Sequence, residues 1–301
     1  MAKRTICAAA IAFSTATTGL AETMTTLSLS HQWPTSDPRH QAAQMLADTL
    51  YDRDIGIDVR IHPSATLMSP MEQYDALSEG ELAFAVMPLA YAAERRPQYK
   101  LTVLPGFARD HDHAERLTRS DFMNELEAIL AKDGIVVIAH GFLASGLVGR
   151  ENCTSGEERT FSLFDALPVG LVEGSSNPNG NFVDDGDLFE RVACYTAPGQ
   201  TLPSIVYQPV LMSAVVFDTL SEKQQDVVRD IASSVQTLYR TEAELQDRLT
   251  LAAFRDAGVL VREMLPDEFE AWRSEAWSAA ALSLASDPAS VRLLDLALAV
   301  E

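Results

Sequence analysis

A chain of 301 residues, 47% hydrophobic and with mean hydropathy close to zero, has enough apolar material for a sizeable core in one or two domains and is no disordered tail. It carries 43 acidic residues against 23 basic ones, and the resulting net charge of −20 repels nucleic acid and anionic lipid. Any anion site must therefore bring its own donors.

The first residues, MAKRTICAAAIAFSTATTGLA, place Lys3 and Arg4 before a short apolar stretch that ends in small residues, which predicts an export signal over 1–21. The stretch is too short and too rich in Thr and Ser to suit a membrane span. Its removal moves the net charge from −20 to −22. The expected product is periplasmic and not membrane-embedded.

TLSLS then reads as a strand, DPRHQAAQMLADTLY as a helix and IDVRIH as an alternating strand. Ser69-Pro70-Met71-Glu72 has the form of a capping box with Pro at the first helical position, and predicts a helix from there to Glu79, stopped by Gly80. LAFAVM is a continuous apolar run, as expected of a parallel strand covered on both faces. This alternation predicts an α/β fold with a mostly parallel sheet, whose ligands bind beyond the carboxyl ends of its strands.

A helix is expected over 121–132 and a single strand over IVVIAHGF, followed by a less regular region from Ala144 to about Leu202. VYQPVLMSAVVF reads as strand. Ser221 to Gln224 forms a second capping box, and an apolar stripe from Val227 to Phe254, closed by Gly258, predicts a helix of about 35 residues, roughly 50 Å long. So long a helix is expected to lie across two lobes. VLVREM and a helical segment from Asp267 complete the chain.

Catalytic signatures are missing from the sequence: no nucleophile elbow, no phosphate-cradling glycine loop and no His-Glu-x-x-His. His111 and His113 are spaced to diverge at a helix start, so a solvated terminus is expected there and no metal site. His31 and Trp33 follow the first strand, where an α/β fold places ligand-contacting loops, though packing explains the tryptophan equally. Glu72 either caps its helix or faces a ligand, and Asn177 either caps its own turn before Pro178 or offers a donor and acceptor. With Cys7 lost with the signal, Cys153 and Cys194 remain as an even pair, a disulfide or two buried thiols; the disulfide is the expectation.

In order, LSLSHQWPTSDPRHQAA, ATLMSPMEQYDALSEGELAFAVMP, LTVLPGFARDHDHAERL, FSLFDALPVGLVEGSSNP and the block from Leu220 to Val261 resemble the periplasmic solute-binding proteins of tripartite ATP-independent (TRAP) transporters, the DctP type. The resemblance implies a two-lobe receptor that needs no cofactor and is expected as a monomer. It would close on a small organic acid and deliver it to the small and large membrane subunits. It also implies ligand contacts at Phe161 and Asn177. One departure stands out: only Glu151 to Thr160 separates Arg150 from Phe161, where the family carries a longer segment whose Arg grips the carboxylate. Arg150 is the nearest cation left. The second lobe is thus expected to be shortened, and a degenerate or repurposed receptor with weak carboxylate binding is the alternative. The expected division is a first lobe of 22–143 with 210–258, and a second of 144–209 with 259–301.

Overall fold

The computed structural model describes residues 24–145, 147–149, 161–162, 192–197 and 204–300. The expected signal over 1–21, Arg150, Cys153, Asn177 and the shortened segment lie outside the described residues.

Strands β1 (Thr25–Ser30), β2 (Ile57–His62), β3 (Phe84–Val86), β4 (Ile135–Ala139) and β10 (Val210–Ser213) form a five-stranded sheet in the order β2-β1-β3-β10-β4. β1 runs parallel to β2 and β3, while β10 alone is antiparallel to its neighbours β3 and β4. Helix α1 (Pro38–Asp52) covers one face, started by Asp37, whose side chain accepts from the Arg39 N–H. The other face carries α2 (Gln73–Glu79), two 3-10 segments (Leu89–Ala92 and Pro97–Val103), α3 (His111–Leu117) and α4 (Asp121–Lys132).

The run IVVIAHGF is broken. β4 ends at Ala139 and β5 (Phe142–Ser145) begins after Gly141, opposite an equal break at Gln208-Pro209 between β9 (Ser204–Tyr207) and β10. The Gln208 N–H donates to the Gly141 carbonyl across the two breaks at 2.8 Å. β5 and β9 form a two-stranded ribbon leading away from the first sheet. Beyond it lies a second sheet, β11-β8-β6-β7, made of β6 (Leu147–Gly149), β7 (Phe161–Ser162), β8 (Cys194–Ala197) and β11 (Leu260–Glu263).

Three expectations need correction. The helix expected from Pro70 begins at Gln73, because Ser69 spends its own N–H and hydroxyl on the Glu72 carboxylate and closes a turn instead of a cap. AVVF is not strand but a helical turn, α5 (Ala214–Phe217). The long helix is jointed at Ile231 into α6 (Glu222–Asp230), which carries the full Ser221–Gln224 capping box, and α7 (Ala232–Asp256). α7 still packs against α1 and β4 at one end, and stacks Phe254 on Tyr195 of the second sheet at the other, ring centroids 4.1 Å apart.

The tail also departs from the expected division. α8 (Pro266–Leu284) and α9 (Pro288–Leu298) pack on the first sheet's side: Trp277, Leu284, Leu293, Leu294 and Ala297 join the core of Leu101, Phe107 and Leu130, and the Trp277 indole donates to the Pro105 carbonyl at 2.7 Å. Of residues 259–300, the structure pairs only β11 with the second sheet.

Candidate functional site

Because β1, β2, β3 and β4 point the same way, their carboxyl ends share one edge, and the β9–β10 break returns to it. Five short stretches meet there: 31–40, 63–72, 87–88, 140–141 and 208–209. They carry one arginine and no lysine.

His31 and Trp33, singled out from the sequence, are both on this edge and both fully buried. They stack at a centroid distance of 6.0 Å. His31 Nε2 meets His40 Nδ1 at 3.0 Å, and His31 Nδ1 accepts from the Trp33 N–H at 3.2 Å. Burial, with smaller repulsion from His40 and Arg39, pushes the His31 imidazole down to about 3, so it is neutral in the folded protein. Trp33 is thus a packed ring in this structure and not an open contact surface.

The ring's partner was not foreseen. The Arg39 guanidinium, 0% exposed, lies 3.9 Å from the Trp33 ring centroid, donates through Nε and NH2 to both Asp37 carboxylate oxygens at 2.6 and 2.5 Å, and reaches Gln208 Oε1 at 2.9 Å. The Asp37–Arg39 pair is locally neutral and bidentate. Gln208 in turn gives its carbonyl to the Tyr239 hydroxyl of α7 at 3.0 Å. One polar chain therefore runs from the loop after β1, through Arg39, to the break between the sheets. Its signals in sequence are slight: an Asp-Pro-Arg at a helix start and one glutamine inside an apolar run.

Two buried donors in this assembly, Trp33 Nε1 and Gln208 Nε2, find no partner among the described residues. Nearby, Gln32 Nε2 donates to the Tyr91 hydroxyl at 3.0 Å and Gln73 Nε2 to Ser30 Oγ at 3.2 Å. The loop after β2 is strained. Ser64 and Ala65 both take φ of 54°, held by their N–H bonds to the Trp33 and His31 carbonyls. Two successive left-handed residues without glycine persist only where surroundings dictate them, and such strain gathers at ligand sites.

Glu72 ends that loop, exposed, its carboxylate lowered by the two hydrogen bonds from Ser69. Phe161 belongs to β7, paired with Val148. Cys194 is buried and disulfide-bonded, its partner outside the described residues. The two histidines of α3 diverge: His111 meets Asp247 at 2.9 Å and His113 meets the Val300 carbonyl at 3.1 Å. The solvated terminus expected there is corrected for His113, which is buried.

A family profile described as bacterial extracellular solute-binding protein, family 7 (DctP) matches residues 29–149 and 160–283. The chain belongs to this family. DctP proteins are solute-binding receptors and not enzymes. A curated solute-binding protein of Albidiferax ferrireducens is 23% identical over 290 residues, covering 83% of this chain and 85% of the relative. Among solved structures, a TRAP periplasmic solute-binding protein from Rhodoferax ferrireducens with bound malonate superposes with a TM-score of 0.78 at 21% identity, covering 90% of this chain and 97% of that one. One from Sulfitobacter sp. with bound β-D-galacturonate gives 0.73 at 17% identity, covering 90% and 99%. These likenesses establish the fold of this DctP protein. No helix among the described residues is long and apolar enough to cross a membrane.

Proposed function

We propose that this DctP protein is the periplasmic receptor of a TRAP-type secondary transporter, closing two lobes on a small organic acid and passing it to the small and large membrane subunits. The observation that carries the reading is the buried polar assembly of His31, Trp33, Arg39 and Gln208, set at the carboxyl edge of the first sheet and tied to the break between the sheets. The relatives that hold malonate and galacturonate support an acid as the ligand class.

In this reading the first lobe comprises 22–143 and 210–258 together with the C-terminal helices, and the second comprises 144–209 with β11. His31 and Trp33 shape the first-lobe wall from beneath, Glu72 stands at its rim, and Phe161, Asn177 and Arg150 are the further ligand contacts that the family resemblance implies. Arg150 holds the carboxylate in place of the family's missing Arg.

A thermal-shift panel of mono- and dicarboxylates, sugar acids and 2-oxo acids on the mature protein tests this. A ligand at 100 times its Kd stabilises the folded state by about 2.7 kcal/mol. At least one acid is expected to raise the melting temperature, and Arg150→Ala to abolish that rise. A flat panel rejects the receptor reading, and binding that survives Arg150→Ala rejects the anchor.

A further inference from the structure

We propose that the free edge of β4 is a docking site for an extended, polar segment of the transporter's membrane subunits, which adds to the five-stranded sheet as a further strand. The proposal rests on the receptor reading and names a contact surface on the flank of the first lobe. β4 is the last strand of its sheet, paired with β10 on one side and with no strand on the other among the described residues. Its open side is the floor of a groove of about 800 Å³, where Val137, Ile138 and His140 lie. One wall is α3 with the turn that follows it, through Glu115, Thr118 and Arg119; the other is α7, through Ser233, Gln236, Thr237, Arg240 and Glu244. Edge strands present unpaired backbone donors and acceptors that a further strand completes, and natural folds blunt or cover them. Here the edge is left open at the bottom of a slot.

The slot selects the chemistry of its occupant. A strand laid beside β4 points alternate side chains to opposite faces of the sheet, so one set meets α3 and the other meets α7. Both walls are polar, whereas the neighbouring strands of the sheet are covered by apolar residues on both faces. The incoming strand is therefore polar on both sides and is no missing piece of the core. Each wall also carries its own ion pair, Arg119 with Glu115 at 2.6 Å and Arg240 with Glu244 at 2.9 Å. In a chain of net charge −20, this groove repels neither sign of charge. A second copy is poorly suited to it, because its β4 lies equally recessed and cannot reach the floor.

The place of the slot points to the source of the strand. α7 runs on to the second sheet, where Phe254 stacks on Tyr195, and side chains tie it to α3: Arg240 donates to Asp112 at 2.6 Å and Gln236 to Glu115 at 3.4 Å. The floor includes His140, beside the break at Gly141 where the chain leaves the first sheet. A strand seated here touches the first lobe on one side and the interlobe helix on the other, so its fit changes when α7 shifts against α3. Strand addition of this kind draws affinity from main-chain hydrogen bonds and selectivity from the side chains on either face. A transporter gains from holding a loaded receptor and releasing an empty one, and contact at this junction supplies that difference in affinity.

Biolayer interferometry of the mature protein, loaded with the acid that raises its melting temperature most, against its small and large membrane subunits in lipid nanodiscs tests the inference. Thr237→Trp fills the slot from an exposed position of α7 and is expected to weaken nanodisc binding about tenfold or more, with acid affinity held within about twofold. Ser234→Trp, exposed on the same helix and not lining the groove, is expected to change neither. Melting curves of both variants establish that they fold. Hydrogen exchange in the peptide that spans Val137 and Ile138 is expected to slow when the nanodiscs bind. Undiminished binding by Thr237→Trp, or unchanged exchange in β4, overturns the inference and leaves the receptor standing, as does a parent protein that binds an acid and not the nanodiscs. Sedimentation that finds a dimer of the parent, dissolved by Thr237→Trp, assigns the groove to a second copy and overturns it equally. A parent that binds neither acid nor nanodiscs overturns both.

Discussion

Replacing Gly141 with alanine tests the junction between the two sheets directly. A Cβ at this position would lie 2.5 Å from Tyr239 Cζ, 2.6 Å from Tyr239 Cε2 and 2.6 Å from the Gln208 carbonyl oxygen. None of these atoms is the free end of a flexible chain: the Tyr239 ring is fully buried, and the carbonyl belongs to the backbone opposite and accepts the Tyr239 hydroxyl. Overpacking of this kind costs typically about 1–3 kcal/mol, and two rigid obstacles place Gly141→Ala at or above the upper end. At about 2–4 °C per kcal/mol for a protein somewhat smaller than this one, the melting temperature should fall by roughly 6–10 °C. Circular dichroism melts of parent and variant measure it. Tyr239→Ala alone should also be costly, about 3–5 kcal/mol for a buried aromatic ring. The double variant should then be less destabilised than the sum by at least about 1 kcal/mol, since one change makes room for the other. A Gly141→Ala protein that melts within about 1 °C of the parent, or strict additivity in the double variant, would refute the close approach on which the reasoning depends.

Arg39→Ala should destabilise by about 3–5 kcal/mol because it strands the buried Asp37 carboxylate, and Asp37→Asn added to it should recover part of the loss, both readable by urea unfolding. Acid should weaken the protein below neutrality: burial lowers the folded pKa of His31 to about 3 and of His140 to about 4, so the unfolded chain takes up protons that the folded one refuses. That contribution is complete above about pH 6.5 and is lost as pH falls toward 4, opposed at the lower end by Glu127 and Asp247, whose carboxyls burial pushes up. A melting temperature that stays level or rises between pH 7 and pH 5 would contradict it, and His140→Gln should flatten the slope. Mass spectrometry of the non-reduced protein should find no free thiol in the exported chain, whereas Cys153→Ser should expose Cys194 and cost about 2–4 kcal/mol.

The first two strands and the helix between them are legible because their signals are local. β1, β2 and α1 follow from alternation, from an apolar face and from Asp37 with Pro38 at a helix start. The Ser221 capping box is another such local signal. What stayed hidden depends on contacts distant in sequence. His140-Gly141 sits inside an apolar run with nothing to mark a break, and only the facing Gln208 and the Tyr239 ring reveal why the chain bends there. Ala214 to Phe217 carry strand-forming side chains, yet the Ala214 N–H is already bonded to the Gly134 carbonyl where the sheet ends, and the chain turns into helix. Arg39 looks like an ordinary charge on the first turn of a helix. Its burial depends on Gln208, 169 residues away, and no spacing rule connects the two.

The position of β10 has a consequence for how the chain comes into being. β3 and β4 do not touch in the first sheet; β10 lies between them and is made only after residue 210. A nascent chain that has emerged as far as β4 therefore has the partners for β2-β1-β3 but leaves β4 a lone strand, with no central strand to join the two. Loop closure over so long a stretch is slow, and domain assembly waits for it. More than two-thirds of the polypeptide leaves the ribosome before its first lobe can close. Such a chain remains threadable while it is being made, the condition that a translocation channel requires of its cargo.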